Sequence, residues 1–222
     1  MRILIKSKLP TSLKYEKELV KSGLSFIGGL DEVGRGPLAG PVTAGFVIFP
    51  PDLEYEVVAE ITDSKKLSAT KRNHLDAEIR ELALISELGW VSAPEIDEIG
   101  ISKATKLAMM RAVDKSVIRP EHLLVDALKL EDIDVASTSI VKGDQISTSI
   151  AAASIIAKVA RDSLMKKLDR MYPGYGFISN KGYGTKKHLE AIYELGATTE
   201  HRMTFAPLKD MENPYSLKPE TG

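Results

Sequence analysis

The chain has 222 residues, 43% of them hydrophobic and 27% charged, with a formal net charge of −1, the profile of a globular domain and not of a strongly basic nucleic-acid binder. It contains no cysteine, which excludes a disulfide framework, a thiolate zinc site and a thiol nucleophile. No apolar run reaches the roughly 18 residues of a membrane span, and Met1-Arg-Ile-Leu-Ile-Lys6 has too short an apolar core for a signal peptide, so a cytoplasmic protein without a membrane role is expected.

Residues 1–11 read as a loose or edge-strand start ended by Pro10. Thr11 or Ser12 is placed to cap a short helix through Val20, stopped by Gly23. A first strand is predicted from about Leu24 to Asp31 and a second, β-branched one from Pro41 to Phe49; the short glycine-rich link between them suggests antiparallel pairing. Ser68 is a good cap for a helix carrying Leu75, Ile79 and Leu82. A third strand centres on Glu87–Val91. Pro94 opens a helical region that Gly100 interrupts, with Leu107, Met110, Val113 and Val117 continuing its apolar stripe.

His122–Asp126 is a compact buried strand with an acid at its carboxyl end, where open α/β sheets bind ligands. Thr138–Asp144 repeats the pattern, ending in Gly143 and another acid. A long helix from about Ser147 to Arg170 starts with the small run Ala151-Ala-Ala-Ser154. Its stripe Ile155, Ile156, Val159, Leu164 and Leu168 faces a core, and Lys158, Arg161, Asp162 and Lys166 fall on the opposite side. Between 158 and 188 eight basic residues stand against two acidic ones, a solvated face or a phosphate-holding one. The glycines and aromatics of Tyr172–Phe177 and Lys181–Thr185 read as a contact loop rather than core, a helix follows near Lys186–Leu195, and the tail beyond Pro207 is polar and loose. No repeat or interdomain linker divides the chain, so 1–222 is read as one domain, with 1–23 an N-terminal extension and about 171–222 a C-terminal substrate-contact region.

Phe26–Pro41 carries the most chemistry. Two adjacent acids, Asp31 and Glu32, run out of an apolar segment and are followed by the turn Gly34-Arg35-Gly36. Burying such charges without a partner is costly, and a bound cation removes the cost. Asp126 and Asp144, at later strand ends, bring four carboxylates into play, an oxygen-only set suited to Mg2+ or Mn2+ rather than zinc. Successive strand residues face opposite sides, so Asp31 and Glu32 share a site only if the strand ends or bends there. Other chemistries fit less well. The four histidines are scattered, Gly34–Gly40 spells neither GxGxxG nor a P-loop, and no GxSxG elbow is present.

Gly29-Leu-Asp-Glu-Val-Gly-Arg-Gly-Pro-Leu-Ala-Gly-Pro41, Asp63-Ser-Lys-Lys-Leu67, Val125-Asp-Ala127, Lys142-Gly-Asp144, Ala151–Asp162, Lys181-Gly-Tyr-Gly-Thr185 and His201-Arg-Met-Thr-Phe205 together resemble the ribonuclease HII family, over roughly Phe26 to Pro207. Thr204 stands where serine is common in that family. The type III relatives share the acids but lack the intact Gly-Arg-Gly and carry an extra N-terminal domain. The resemblance implies an α/β ribonuclease H-like fold: a five-stranded mixed sheet flanked by helices, with a helical C-terminal extension. It implies a divalent-metal site at Asp31, Glu32 and Asp126, completed by Asp144, with Asp31 the candidate bridging carboxylate. It further implies that Gly34, Arg35 and Gly36 read the ribonucleotide at an RNA–DNA junction, that Tyr183 stacks on the next sugar, and that Lys65 or Lys66 and the basic face of the long helix hold phosphates.

The expected activity is hydrolysis of RNA in RNA/DNA hybrids and cutting 5′ to ribonucleotides embedded in duplex DNA, leaving 5′-phosphate and 3′-hydroxyl ends. Two Mg2+ or Mn2+ ions about 3.5–4 Å apart serve such chemistry. The expected partners are those nucleic acids, for a monomer, with no clamp-binding motif evident after Pro207. The alternatives are another nuclease or integrase-type enzyme of the same fold, and a non-catalytic nucleic-acid-binding module; a pure binder gains nothing from four acids near phosphate.

Overall fold

The computed structural model describes residues 11–130 and 133–211, so the start expected for residues 1–10 and the tail from 212 onward lie outside the described residues. α1 (Lys14–Lys21) has no side-chain cap. Thr11 and Ser12, expected to cap it, make longer-range ties instead: the Thr11 hydroxyl donates to the Ile61 carbonyl, and the Ser12 amide to the Ile146 carbonyl at 2.9 Å.

β1 (Ile27–Val33) and β2 (Val42–Ile48) pair antiparallel as expected. β1 starts later and runs further than the sequence indicated, so Asp31 and Glu32 sit inside the strand rather than at its end. α2 (Tyr55–Val58) and a 3-10 turn at Ser64–Lys66 lead to α3 (Ala69–Leu82), whose first turn the Ser68 hydroxyl caps by accepting from the Lys71 amide. β3 (Ile85–Val91) joins the other side of β2, antiparallel. α4 (Ala93–Ile99) and α5 (Ile101–Asp114) divide at Gly100 as read. Val117 lies beyond α5 and is 93% exposed, so it does not extend the stripe. β4 (His122–Asp126) and β5 (Ser137–Ile140) add in parallel beyond β1. The order is β3-β2-β1-β4-β5, the five-stranded mixed sheet flanked by helices that the resemblance implies. β5 is shorter than expected, and Asp144 sits on a 3-10 turn, Gly143–Gln145. α6 (Thr148–Met171), α7 (Phe177–Asn180) and α8 (Lys186–Leu195) complete the described chain's helices.

Strand alternation sends Leu30, Ala44, Phe46 and Val125 to α5 on one face, and Val47 to α3 and α6 on the other. α6 lies directly on the backbone of the sheet. A Cβ at Gly29 would stand 2.2 Å from the Ser149 carbonyl carbon, so only glycine fits there. That contact, with Ala151–Ala153 fully buried, brings Ser154 of α6 beside Asp31.

A further cluster joins Leu38, Met165, Leu168, Tyr175, Phe177, Ile192 and Leu208. It corrects two expectations. Tyr175 and Phe177 are core, stacked at 5.5 Å between centroids, and the segment after Pro207 begins docked, with Leu208 buried. Here α8 supplies the apolar partners that Tyr172–Phe177 lacks locally. No helix among the described residues is long and apolar enough to cross a membrane.

Candidate active site

Parallel pairing sets Leu30 beside Val125, which carries Asp31 next to Asp126 at the carboxyl end of β4. Asp31 is 4% exposed, and its Oδ1 accepts from the Glu32 amide at 2.8 Å. Burial, and then the charges of Glu32 and Asp126, push its carboxyl well above the usual range, against the Ser154 hydroxyl and the Glu32 amide. Glu32 is also raised, by burial and Asp126, while Arg35 opposes with Nη1 3.4 Å from Oε1. Asp126 accepts from the Gly143 amide at 2.7 Å, which docks the turn bearing Asp144 onto β4. Burial and Asp144 raise the Asp126 carboxyl; the Gly143 amide and Lys65 act the other way. Asp144 is 2% exposed and meets Lys65 Nζ at 3.4 Å.

The four acids are thus gathered at one end of the sheet, although no three His, Cys, Asp or Glu side chains among the described residues are grouped to hold a metal ion as they stand. Their chemistry fits a divalent cation. Glu32 Oε2 is buried with no hydrogen-bond partner among the described residues, three of the carboxyls are raised by burial and by neighbouring acids, and every donor is a hard oxygen.

The two lysines divide. Burial lowers the Lys65 ammonium, yet Asp144 and Asp31 outweigh it and hold it above its usual value; it belongs to the acid cluster. Lys66 pairs with Asp63 at 3.6 Å. The Gly34-Arg35-Gly36 turn follows β1 directly. Gly34 has φ +93°, and a Cβ there would meet Arg161 Nε at 2.3 Å. A Cβ at Gly36 would lie 3.5 Å from the Tyr183 ring, so the turn and Tyr183, 48% exposed, border one surface.

The basic face of α6 is smaller than the sequence indicated. Arg161 is fully buried and donates to the carbonyls of Pro41, Ala39 and Lys181 at 2.9–3.0 Å. Lys158 bonds Asp162 at 2.8 Å, which leaves Lys166, Lys167 and Arg170 exposed. The signal for Arg161 was its spacing: Ala157, Arg161 and Met165 follow at i, i+4, i+8 and all are buried. Sequence reasoning also missed the Ser64–Ser154 hydroxyl pair, 3.0 Å apart, that seats the Lys65 turn on α6.

Two buried histidines secure Tyr183. His201 Nδ1 accepts from the Thr198 amide at 2.9 Å, so its proton sits on Nε2 and is donated to His188 Nε2 at 3.1 Å. His188 then donates from Nδ1 to the Tyr183 carbonyl at 2.8 Å. The chain of bonds requires both rings neutral. Burial, followed by His188, pushes His201 down to about 4. The unfolded chain protonates near pH 6.5, so this contribution is full above that pH and is lost as pH falls towards 4. It amounts to on the order of 3 kcal/mol at most. Melting temperatures at pH 7.5 and 5 should therefore differ more for the wild type than for His201→Gln; equal differences would refute the neutral pair.

A family model described as Ribonuclease HII matches residues 28–208. The chain is 55% identical over 198 residues to a ribonuclease HII of Bacillus cytotoxicus, covering 89% of this chain and 75% of that one. Among solved structures it is similar to the ribonuclease H2 of Pyrococcus horikoshii OT3, with TM-score 0.71 and 25% identity over 83% of this chain and 96% of that one. It also shares the fold of Bst-RNase HIII, solved in complex with Mn2+, with TM-score 0.59 and 22% identity over 83% of this chain and 68% of that one.

Proposed function

Since the chain belongs to the ribonuclease HII family, and so is a metal-dependent RNase H-type endonuclease acting on RNA/DNA substrates, we propose that it cuts RNA in hybrids and cleaves 5′ to ribonucleotides embedded in duplex DNA, by a two-metal mechanism, leaving 5′-phosphate and 3′-hydroxyl ends. The observation that carries this reading is the pairing of a buried acid cluster with a glycine turn at the end of the same strand.

Asp31, Glu32 and Asp126 are the proposed ligands of Mg2+ or Mn2+, with Asp144 closing the set. When bound, such ions activate water and stabilise charge on the phosphate and the leaving 3′-oxygen. The protein's own part is positional. Gly143 fixes the Asp126 carboxylate, the Glu32 amide fixes Asp31 beside the Ser154 hydroxyl, and Lys65 offers a cation beside Asp144 for a phosphate. RNA differs from DNA by the 2′-hydroxyl alone at this scale, and the turn exposes Arg35 and Gly36, whose backbone amides have no hydrogen-bond partner among the described residues. Tyr183, bordering the turn, offers a ring to the adjoining deoxyribose, and the segment from about 171 contributes that substrate surface.

The test is cleavage of two duplexes of one sequence, all-DNA and singly ribo-substituted, with and without Mg2+. Cutting is expected only of the second, only with metal, and on the 5′ side of the ribonucleotide. Cleavage of the all-DNA duplex would favour a general nuclease of this fold, and metal-independent binding without cleavage a non-catalytic module.

A further inference from the structure

The two largest fully buried side chains among the described residues are both arginines, Arg161 and Arg202. Burying a guanidinium is costly unless its donors are satisfied. Here every hydrogen bond that either one makes among the described residues goes to a backbone carbonyl. Arg202 takes the Arg35 carbonyl at 2.9 Å, the Gly34 carbonyl at 2.5 Å and the Gly40 carbonyl at 2.8 and 3.0 Å. Arg161 takes Pro41, Ala39 and, on the segment bearing Tyr183, Lys181. The two forks thus grip both ends of the 34–41 loop from beneath and tie it to the Tyr183 segment.

The carbonyls of Gly34 and Arg35 share their peptide planes with the amides of Arg35 and Gly36. In a trans peptide the two groups point in opposite directions. Drawing both carbonyls inward therefore turns both amides outward, and neither amide has a hydrogen-bond partner among the described residues. We propose that Arg202, seconded by Arg161, is the positioning residue for ribonucleotide selectivity: it fixes the polarity of the Gly34-Arg35-Gly36 turn so that two adjacent amide donors face the ribose 2′-hydroxyl. This rests on the reading of the turn given above.

Three further observations support it. Asp97 anchors the loop of Arg202 by accepting from the Met203 and Thr204 amides and the Thr204 hydroxyl at 2.6, 2.9 and 2.6 Å. The guanidinium lies 5.0 Å from the centroid of the Phe205 ring. Burial and Arg161 lower Arg202 to about 9, which leaves it charged at neutral pH. Lysine keeps the charge but lacks the planar fork that reaches three carbonyls.

The experiment measures affinity for the all-DNA and the singly ribo-substituted duplex in an Asp31→Asn background, where cleavage does not intervene, with and without Arg202→Lys. The expected result is that Arg202→Lys brings the preference for the ribo-substituted duplex close to unity while affinity for all-DNA changes by less than about twofold. Simple destabilisation would reduce the active fraction for both duplexes alike and leave the ratio unchanged. A ratio retained in Arg202→Lys overturns the positioning role and leaves the reading of the turn standing. No preference in the Asp31→Asn parent overturns the reading itself, and this inference with it. Should Arg202→Lys not fold, Asp97→Ala slackens the same loop and should lower the ratio at least about twofold; an unchanged ratio again overturns the proposal.

Discussion

Asp31→Asn should lower cleavage by about 10²–10³-fold or more and at the same time raise the melting temperature of the metal-free protein. The two effects have one cause. Asp31 is 4% exposed on a strand packed directly against α6, and burial, Glu32 and Asp126 all oppose its ionisation. Asparagine keeps the shape and an oxygen for the Glu32 amide but carries no charge. A carboxyl raised in the folded state favours folding below its unfolded pKa and loses that advantage as pH rises through the folded value. At neutral pH in EDTA the wild type bears this penalty and the variant does not. Each kcal/mol relieved raises the melting temperature by about 2–4 °C in a chain of this size. An active Asp31→Asn, or one that melts lower in EDTA, would count against a buried acid cluster built for a cation.

Gly34→Ala should cost both stability and cleavage at a single ribonucleotide. With φ at +93° a side chain is strained wherever it points, and here it points at Arg161 Nε, 2.3 Å away, and the Pro41 carbonyl, 2.8 Å away. The strain alone is about 1–3 kcal/mol, and displacing a buried guanidinium adds to it. Cleavage at an embedded ribonucleotide should fall at least about tenfold, the equivalent of 1.4 kcal/mol at the transition state. Gly36→Ala is the control for fold. Gly36 is exposed and has no positive φ, and its Cβ would reach only ordinary contact with Tyr183, so stability should change by less than about 0.5 kcal/mol. Equal melting temperatures for the two alanine variants would refute the strain argument.

Much of this architecture was legible in the residues. His122–Asp126, the break at Gly100, the Ser68 cap and the helix at Lys186–Leu195 all follow local rules of propensity, capping and alternation, and the structure places each as read. What the sequence left unseen depends on contacts between distant segments. Arg161 looked solvated because its charge was weighed above its place on the buried Ala157–Met165 row, and the carbonyls that satisfy it lie some 120 residues away. Thr11 and Ser12 looked like caps until Ile61 and Ile146 claimed them. Tyr175 and Phe177 looked like a contact loop because the partners that bury them arrive on α8 and beyond. At the site, the four acids and the glycine turn could be named from residue types alone. Arg202 and the histidine pair holding Tyr183 could not, since no spacing rule connects Arg202 to Gly34 or His188 to His201.

Asp31 and its neighbouring acids are the proposed metal site. A Mn2+ titration followed by thermal melting of the wild type and of Asp31→Asn tests it most directly, because a ligand that binds only the folded state raises its melting temperature with concentration. The wild type should start lower in EDTA and climb as Mn2+ is added, while Asp31→Asn starts higher and stays flat. Parallel climbs in the two proteins would contradict the assignment.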